Sequence, residues 1–388
     1  MEKFFVHKGD KTIWAVFFLL ALSSIVLVYS ASSYIAVTQH GGDNWYFLIK
    51  QTAFVFLGYI VMLIMSRIRY NTYNLFSPIV FYVIAIPLLT YTAFFGVNIN
   101  NASRWITIPI IGVSFQASDL AKIVLLAYLA RTLSKLSGKP DDKKLQYTIW
   151  TIFLPVFLVS ALILRSNLST ALLVLITSFI VMWLGEVKIK YLSSLVGIGI
   201  VMALIVILVA KSNPNFFPRL DTWISRIENF NGNDSDANYQ VTQAKIAIAS
   251  NPLFGSLPGK SSQRAFLPSA HADFIYAIII EEYGTFIGFI FIILYLILFM
   301  RAIRIAKNSE TRFGAILSLG LMFSIVFQAM INMGVASNLL PVTGQTLPLV
   351  SMGGTSFVFT SMALGIIQSI ANGLNKPKTS TKGKQNIE

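Results

Sequence analysis

The chain has 388 residues, 55% of them hydrophobic and only 12% charged, with no cysteine and a formal net charge of +14. A mean hydropathy of +0.69 excludes a chain dominated by a soluble domain, and the missing thiols exclude disulfides, thiolate metal sites and a cysteine nucleophile. The apolar runs are continuous rather than alternating, and an open sheet edge cannot survive in lipid, so the fold class is an all-α polytopic membrane protein.

A span takes roughly 20 apolar residues, and about ten runs qualify. In chain order they are Ile13–Ala36, Phe47–Met65, Ser77–Phe95, Leu120–Leu136, Thr148–Leu164, Leu168–Leu184, Tyr191–Ala210, Phe274–Met300, Phe313–Met333 and Ser356–Leu374. Lysine and arginine concentrate in alternate connections: Lys3, Lys8 and Lys11; Arg67 and Arg69; Arg131 to Lys144; Lys188 and Lys190; Arg301 to Arg312; and Lys376 to Lys384. The positive-inside rule makes these segments, and both termini, cytoplasmic. Most of the net charge is thus a topological signal, helped by anionic lipid, and calls for no nucleic acid. Apolar character continues past Ser30, Ala31 and Ser32 through Val37, so the first run is expected to be a retained span rather than a cleaved signal peptide. One transmembrane domain is expected over residues 1–375, followed by a basic, disordered cytoplasmic tail at 376–388.

A long connection, residues 211–272, falls on the outer side between the seventh and eighth spans. Within it Leu220, Trp223, Ile224 and Ile227 oppose Arg219, Asp221, Arg226 and Glu228 at helical spacing, which suits a helix in the membrane interface. The polar stretch Asn231–Asn238 lacks the glycine and terminal acid of a calcium loop and is expected to be a solvated turn. A short helix over Tyr239–Ala249 and a turn-rich stretch at Asn251–Lys260 follow. A second outer segment, Val335–Ser356, is apolar but broken by Pro341, Gly344, Pro348, Gly353 and Gly354. Such a segment enters the bilayer only where protein or water satisfies its backbone, which points to a cavity wall.

The ionisable groups are placed against this apolar background. FLPSAHADFIYAIIIEEYG, Phe266–Gly284, carries His271 and Asp273 into a helix that holds Glu281 and Glu282. A carboxylate at the mouth of a membrane helix costs free energy unless it is paired or used. On its own Asp273 reads first as a helix N-cap and second as a catalytic group. Lys122 falls just inside a span, where an unpaired ammonium costs about 3 kcal/mol on insertion scales. Its partner is either an anionic ligand or Asp119, one helical turn earlier.

Four places carry a resemblance: NASRWI (Asn101–Ile106) with FQASDLAKI (Phe115–Ile123), YQVTQAKIAIASNPLFG (Tyr239–Gly255), the Phe266–Gly284 segment, and LLPVTGQTLPLVSMGGTS (Leu339–Ser356). In this order they resemble the SEDS family (FtsW/RodA/SpoVE) of peptidoglycan glycosyltransferases. Departures are Asn167 where the family has an acid, Ala117 and Asp119 in its Gln-Pro-Ser-Glu element, Ser269 for a frequent glutamate, and Leu257 and Pro258 within a glycine-rich run.

The resemblance implies polymerisation of lipid II at the outer face of a bacterial inner membrane. One sugar hydroxyl attacks the anomeric carbon of a second lipid and displaces a polyprenyl diphosphate with inversion, which needs a general base and positive charge or N–H groups at the leaving group. It assigns the base to Asp273 and the leaving group to Arg104 and Lys122. Gln116 would orient sugar or phosphate, His271 would tune the base or contact a sugar, Ser351, Gly353 and Gly354 would offer backbone N–H groups, and Lys260 and Arg264 are further loop cations. Asp119, Glu281 and Glu282 are expected to be structural. A Mg²⁺ or Mn²⁺ bridging Asp273 and the diphosphate is chemically reasonable, but no ligand cluster demands one. Implied partners are a class B penicillin-binding protein and other divisome membrane proteins. Ala270 before His271 looks more like FtsW than RodA, which favours the division septum over elongation. A lipid II flippase and a non-catalytic scaffold are the rival functions.

Overall fold

The computed structural model describes residues 7–39, 41–99, 102–107, 114–136, 148–212, 236–250, 253–267 and 269–374. The amphipathic stretch around Trp223, the basic residues Lys139 to Lys144 and the tail at 376–388 lie outside the described residues, as does the turn expected from Asn231 up to its last three positions.

Each apolar run falls on a helix. These are α1 (Lys11–Gln39), α2 (Asn44–Arg67), α3 (Tyr70–Phe95), α4 (Ala117–Leu136), α5 (Ile149–Leu164), α6 (Leu168–Leu184) and α7 (Ile189–Ser212). After α8 (Asp236–Ser250) come α9 (Ile275–Asn308), α10 (Arg312–Ala336) and α11 (Thr355–Leu374). Six of them, α1, α2, α3, α9, α10 and α11, are long and apolar enough to cross a membrane. Helix α4 carries Asp119, Lys122, Arg131 and Lys135, yet most of its side chains are buried, so protein surrounds it. Helices α3 and α9 run beyond the apolar windows, to Tyr70 and Asn308, because backbone bonding continues through polar residues that such a window trims.

Between α3 and α4 lies a small antiparallel sheet that hydropathy does not announce: β1 (Val97–Ile99), β2 (Ala102–Thr107) and β3 (Ser114–Gln116). Its register pairs Trp105 with Gln116 and Thr107 with Ser114. Helices α2 and α11 approach closely through small residues. A Cβ on Gly58 would lie 2.7 Å from the Phe357 ring, and one on Gly365 would lie 2.7 Å from the Met62 carbonyl.

One end of the bundle gathers cations. Asp10 caps α1, accepting from the Thr12 and Ile13 N–H groups at 2.9 and 3.2 Å. Its second carboxylate oxygen accepts from Arg301 of α9, 2.8 Å from Nε. Gln368 of α11 closes the same knot by exchanging hydrogen bonds with the Asp10 backbone at 2.6 and 2.9 Å. Arg312 meets Glu186 at 2.7 Å between α10 and the end of α6.

Toward the other end α9 is broken at Gly284, whose φ of 84° is a left-handed conformation. The break frees the Glu281 and Glu282 carbonyls, and the preceding loop takes them: Ser256 and Leu257 N–H groups donate at 2.8 and 3.0 Å. The buried Glu281 carboxylate accepts from Ser261, from Ser262 N–H at 2.8 Å and from Gln263 N–H at 3.2 Å. Glu282 accepts from Ser30 of α1. Two carboxylates that looked costly in a membrane helix therefore pin a loop and a neighbouring helix onto α9.

Candidate active site

Helix α9 begins at Ile275 with Phe274 in the N-cap position, so Asp273 stands one residue outside the cap. It borders a cavity of about 910 Å³ at the end of the bundle away from the Asp10 knot. The entry to α9 contributes Ser269, His271 and Asp273 to the wall. Helix α2 contributes Tyr46, Lys50, Phe54 and Leu57, spaced to share one face, and the sheet contributes Trp105, Ser114 and Gln116. The return segment between α10 and α11 supplies Gly344, Gln345, Thr346, Met352, Gly353 and Gly354, as its proline and glycine breaks predicted. Asp119 and Gln328 also line the cavity.

A polar lattice sets the geometry. Asn332 of α10, 1% exposed, donates through Nδ2 to the Asp273 carbonyl at 2.8 Å and the Gln345 carbonyl at 2.7 Å. The Met352 N–H donates to the His271 carbonyl at 2.9 Å, and the Ser351 hydroxyl donates to the Ala272 carbonyl at 2.6 Å. Gln328, one turn before Asn332, donates to the Thr346 carbonyl at 3.0 Å and accepts from Lys122 at 2.9 Å. Gln345 reaches Thr170 at 2.8 Å, whose N–H is capped by Asn167 at 3.2 Å. Gly344 has φ +65°, and a Cβ there would sit 3.6 Å from Asp273 Oδ2, so glycine leaves the carboxylate open on that side.

His271 is held below its ordinary value of 6.5, chiefly by burial and secondly by the Lys50 charge. It therefore enters the wall as a neutral imidazole near pH 7. Its Nδ1 is buried and has no hydrogen-bond partner among the described residues. Lys50 lies 5.4 Å from the centre of the Tyr46 ring, within cation–π range.

The sequence model for FtsW, RodA and SpoVE, described as cell cycle protein, matches residues 10–376. The chain belongs to this family. It is 33% identical to a probable peptidoglycan glycosyltransferase FtsW of Trichlorobacter lovleyi, over 92% of this chain and 91% of that one. It is 32% identical to the peptidoglycan glycosyltransferase MrdB of Escherichia coli K12, over 94% and 96%. Among solved structures, one described as a peptidoglycan synthase complex coordinating polymerization and crosslinking aligns with TM-score 0.71, 24% identity and coverage of 95% and 99%. The rod shape determining protein RodA of Thermus thermophilus aligns with TM-score 0.66, 24% identity and coverage of 95% and 98%. These structural matches show a shared polytopic fold.

In this FtsW/RodA/SpoVE-family chain, Asp273, His271, Gln116, Asp119, Gly353 and Gly354, drawn from three separate motifs, line one cavity. The Arg104 side chain lies outside what the structure describes, although its strand neighbour Trp105 is in the wall. The remaining expected site residues lie in other settings. Lys122 borders a smaller space beside the cavity, bonded to Gln328 and 3.8 Å from Asp119, so its charge is already engaged. The Ser351 and Gly353 N–H groups donate to the Leu347 and Ser351 carbonyls at 2.9 and 2.8 Å, which closes the turn on itself. Lys260 is exposed and Arg264 leans on the Ser30 carbonyl at 3.5 Å, because Glu281 anchors their loop toward α1 and away from the cavity lining. Lys50, Gln328, Asn332 and Gln345 are the residues that motif reading missed. Polar groups four residues apart in an apolar helix, as at Gln328 and Asn332, are the signal that could have found two of them.

Proposed function

We propose that this peptidoglycan glycosyltransferase polymerises lipid II at the outer face of a bacterial cytoplasmic membrane, with Asp273 as general base. The observation that carries this reading is the convergence of Asp273, His271 and Gln116 on one cavity of about 910 Å³, within the range that holds ligands of sugar size and larger. The knot of Asp10, Arg301 and Gln368 ties the start of α1 to the ends of α9 and α11 at the opposite end of the bundle, and the lysines and arginines in the segments at that end support both termini cytoplasmic and the cavity outside.

In the reaction the 4-hydroxyl of one sugar attacks the anomeric carbon of a second lipid II. The new C–O bond forms as the bond to diphosphate breaks with inversion, the Asp273 carboxylate takes the hydroxyl proton, and polyprenyl diphosphate leaves. Asn332 holds the Asp273 main chain against the return segment, so the base is positioned before substrate arrives. A neutral His271 and the amide of Gln116 suit hydrogen bonds to sugar hydroxyls. A divalent cation at the diphosphate would take most of its ligands from phosphate and water, since among the described residues no three acidic or histidine side chains cluster.

Ala270 before His271 supports a septal role with a class B penicillin-binding protein as partner, and the fold shared with a peptidoglycan synthase complex fits such a partner. The RodA-like alternative, elongation, is supported by the MrdB relative. The test is lipid II polymerisation by the purified protein with its cognate transpeptidase, wild type against Asp273→Ala. Strands from wild type and none from the variant are expected, and comparable strands from both would remove Asp273 as base. Strands from neither, with intact complexes, would favour the flippase or scaffold readings.

A further inference from the structure

The leaving diphosphate needs positive charge or N–H groups; of the residues first assigned to it, Gly354 lines the cavity, the Arg104 side chain lies outside what the structure describes, and the others are engaged elsewhere or lie outside the lining. Lys122 is bonded to Gln328 and beside Asp119, Lys260 and Arg264 sit on the loop held toward α1, and the Ser351 and Gly353 N–H groups are closed within their turn. The lining is otherwise acidic at Asp273 and Asp119. Among the described residues that line it, Lys50 is the one lysine or arginine.

We propose that Lys50 on α2, set over the Tyr46 ring, binds the diphosphate of the lipid substrate; this rests on the lipid II reading above. A lysine serves phosphate as a point charge, and no fixed fork geometry is required of it. Tyr46 lies four residues earlier on the same face and restrains the flexible stem through the ring contact at 5.4 Å. The next positions on that face, Phe54 and Leu57, are apolar wall residues, so a diphosphate at Lys50 has apolar surface beside it for an attached polyprenyl chain. His271, also in the wall, stays uncharged beside Lys50, which leaves a division of labour: Lys50 meets the phosphate charge and His271 meets hydroxyls.

The experiment measures binding of undecaprenyl diphosphate, with uncharged undecaprenol as control, to the purified full chain. Lys50→Ala is expected to weaken diphosphate binding about tenfold or more, the usual scale for losing a hydrogen bond to a charged group, while undecaprenol binding holds. Lys50→Arg is expected to keep most of the affinity, and Lys307→Ala, an exposed lysine on the last turn of α9, to keep all of it. Asp273→Ala is expected to bind at least as tightly as wild type, so an error about the base leaves this result standing. Unchanged affinity in Lys50→Ala overturns the proposal, as does an equal loss for both lipids. Lys50→Gln gives the same comparison if Lys50→Ala does not fold. A wild type that binds diphosphate no better than undecaprenol overturns this proposal, whatever the polymerisation assay shows.

Discussion

Replacing Asn332 is expected to disable the site although this side chain is not among those lining the cavity. Its Nδ2 spends both hydrogens, one on the Asp273 carbonyl at 2.8 Å and one on the Gln345 carbonyl at 2.7 Å, and the side chain is 1% exposed. Leucine in its place removes both bonds and leaves two buried carbonyls without this donor. Such a bond contributes about 1 kcal/mol in soluble proteins and about 0.6 kcal/mol between membrane helices. Together the losses come to about 1–2 kcal/mol. Aspartate is worse, because an oxygen takes the place of the donor and faces two carbonyl oxygens. If the lost energy appears as misplacement of Asp273, each 1.4 kcal/mol or so is tenfold in rate. Asn332→Leu is therefore expected to lower kcat about 5- to 30-fold, and Asn332→Asp further, with KM for lipid II moving less. The assay is steady-state polymerisation by variants that assemble normally with the partner transpeptidase. Wild-type kcat in a well-assembled Asn332→Asp would refute the idea that this amide positions the base.

Two further outcomes are expected. The unfolded chain protonates His271 near its ordinary 6.5, whereas the folded chain resists until lower pH. The stability contributed by the neutral ring is thus complete above 6.5 and is lost as pH falls toward the folded value. Thermal unfolding followed across that window is expected to fall more steeply for wild type than for His271→Asn, and parallel curves would contradict the burial argument. Gly284→Ala places a Cβ 2.2 Å from the Leu253 carbonyl at a φ of +84°, which is expected to cost about 2 kcal/mol or more locally. The loop before α9 is then expected to be cut faster in limited proteolysis, and unchanged protection would show that the break is not what holds the loop.

The helices were legible because a membrane span must be apolar for its whole length, and that constraint is written locally. The sheet was not, since strands of 3, 6 and 3 residues carry too little pattern and their pairing depends on how α3 delivers the chain to α4. His271 and Asp273 could be found together because one motif holds them. Lys50 could not, because only packing brings the start of α2 beside the start of α9. Gln328 and Asn332 lay in plain view as polar residues in an apolar helix, yet the carbonyls they serve belong to another segment. The bonding of Ser351 and Gly353 has a similar origin: glycine and serine announce a turn, but which N–H groups the turn consumes is decided by its closure.

Asp10 finds Arg301 and Gln368 at separations of 291 and 358 residues. During synthesis α1 therefore enters the membrane with its carboxylate and backbone waiting for groups that do not yet exist. The groove beside Gly58 waits in the same way for Phe357 and Ser361 of α11. A nascent chain halted before Thr355 would already hold Asp273, His271, most of the return segment and the Asp10–Arg301 and Ser30–Glu282 contacts between α1 and α9, yet it would lack Gln368 and the partners of the Gly58 groove. The last described helix is thus the piece that completes the packing of the first two.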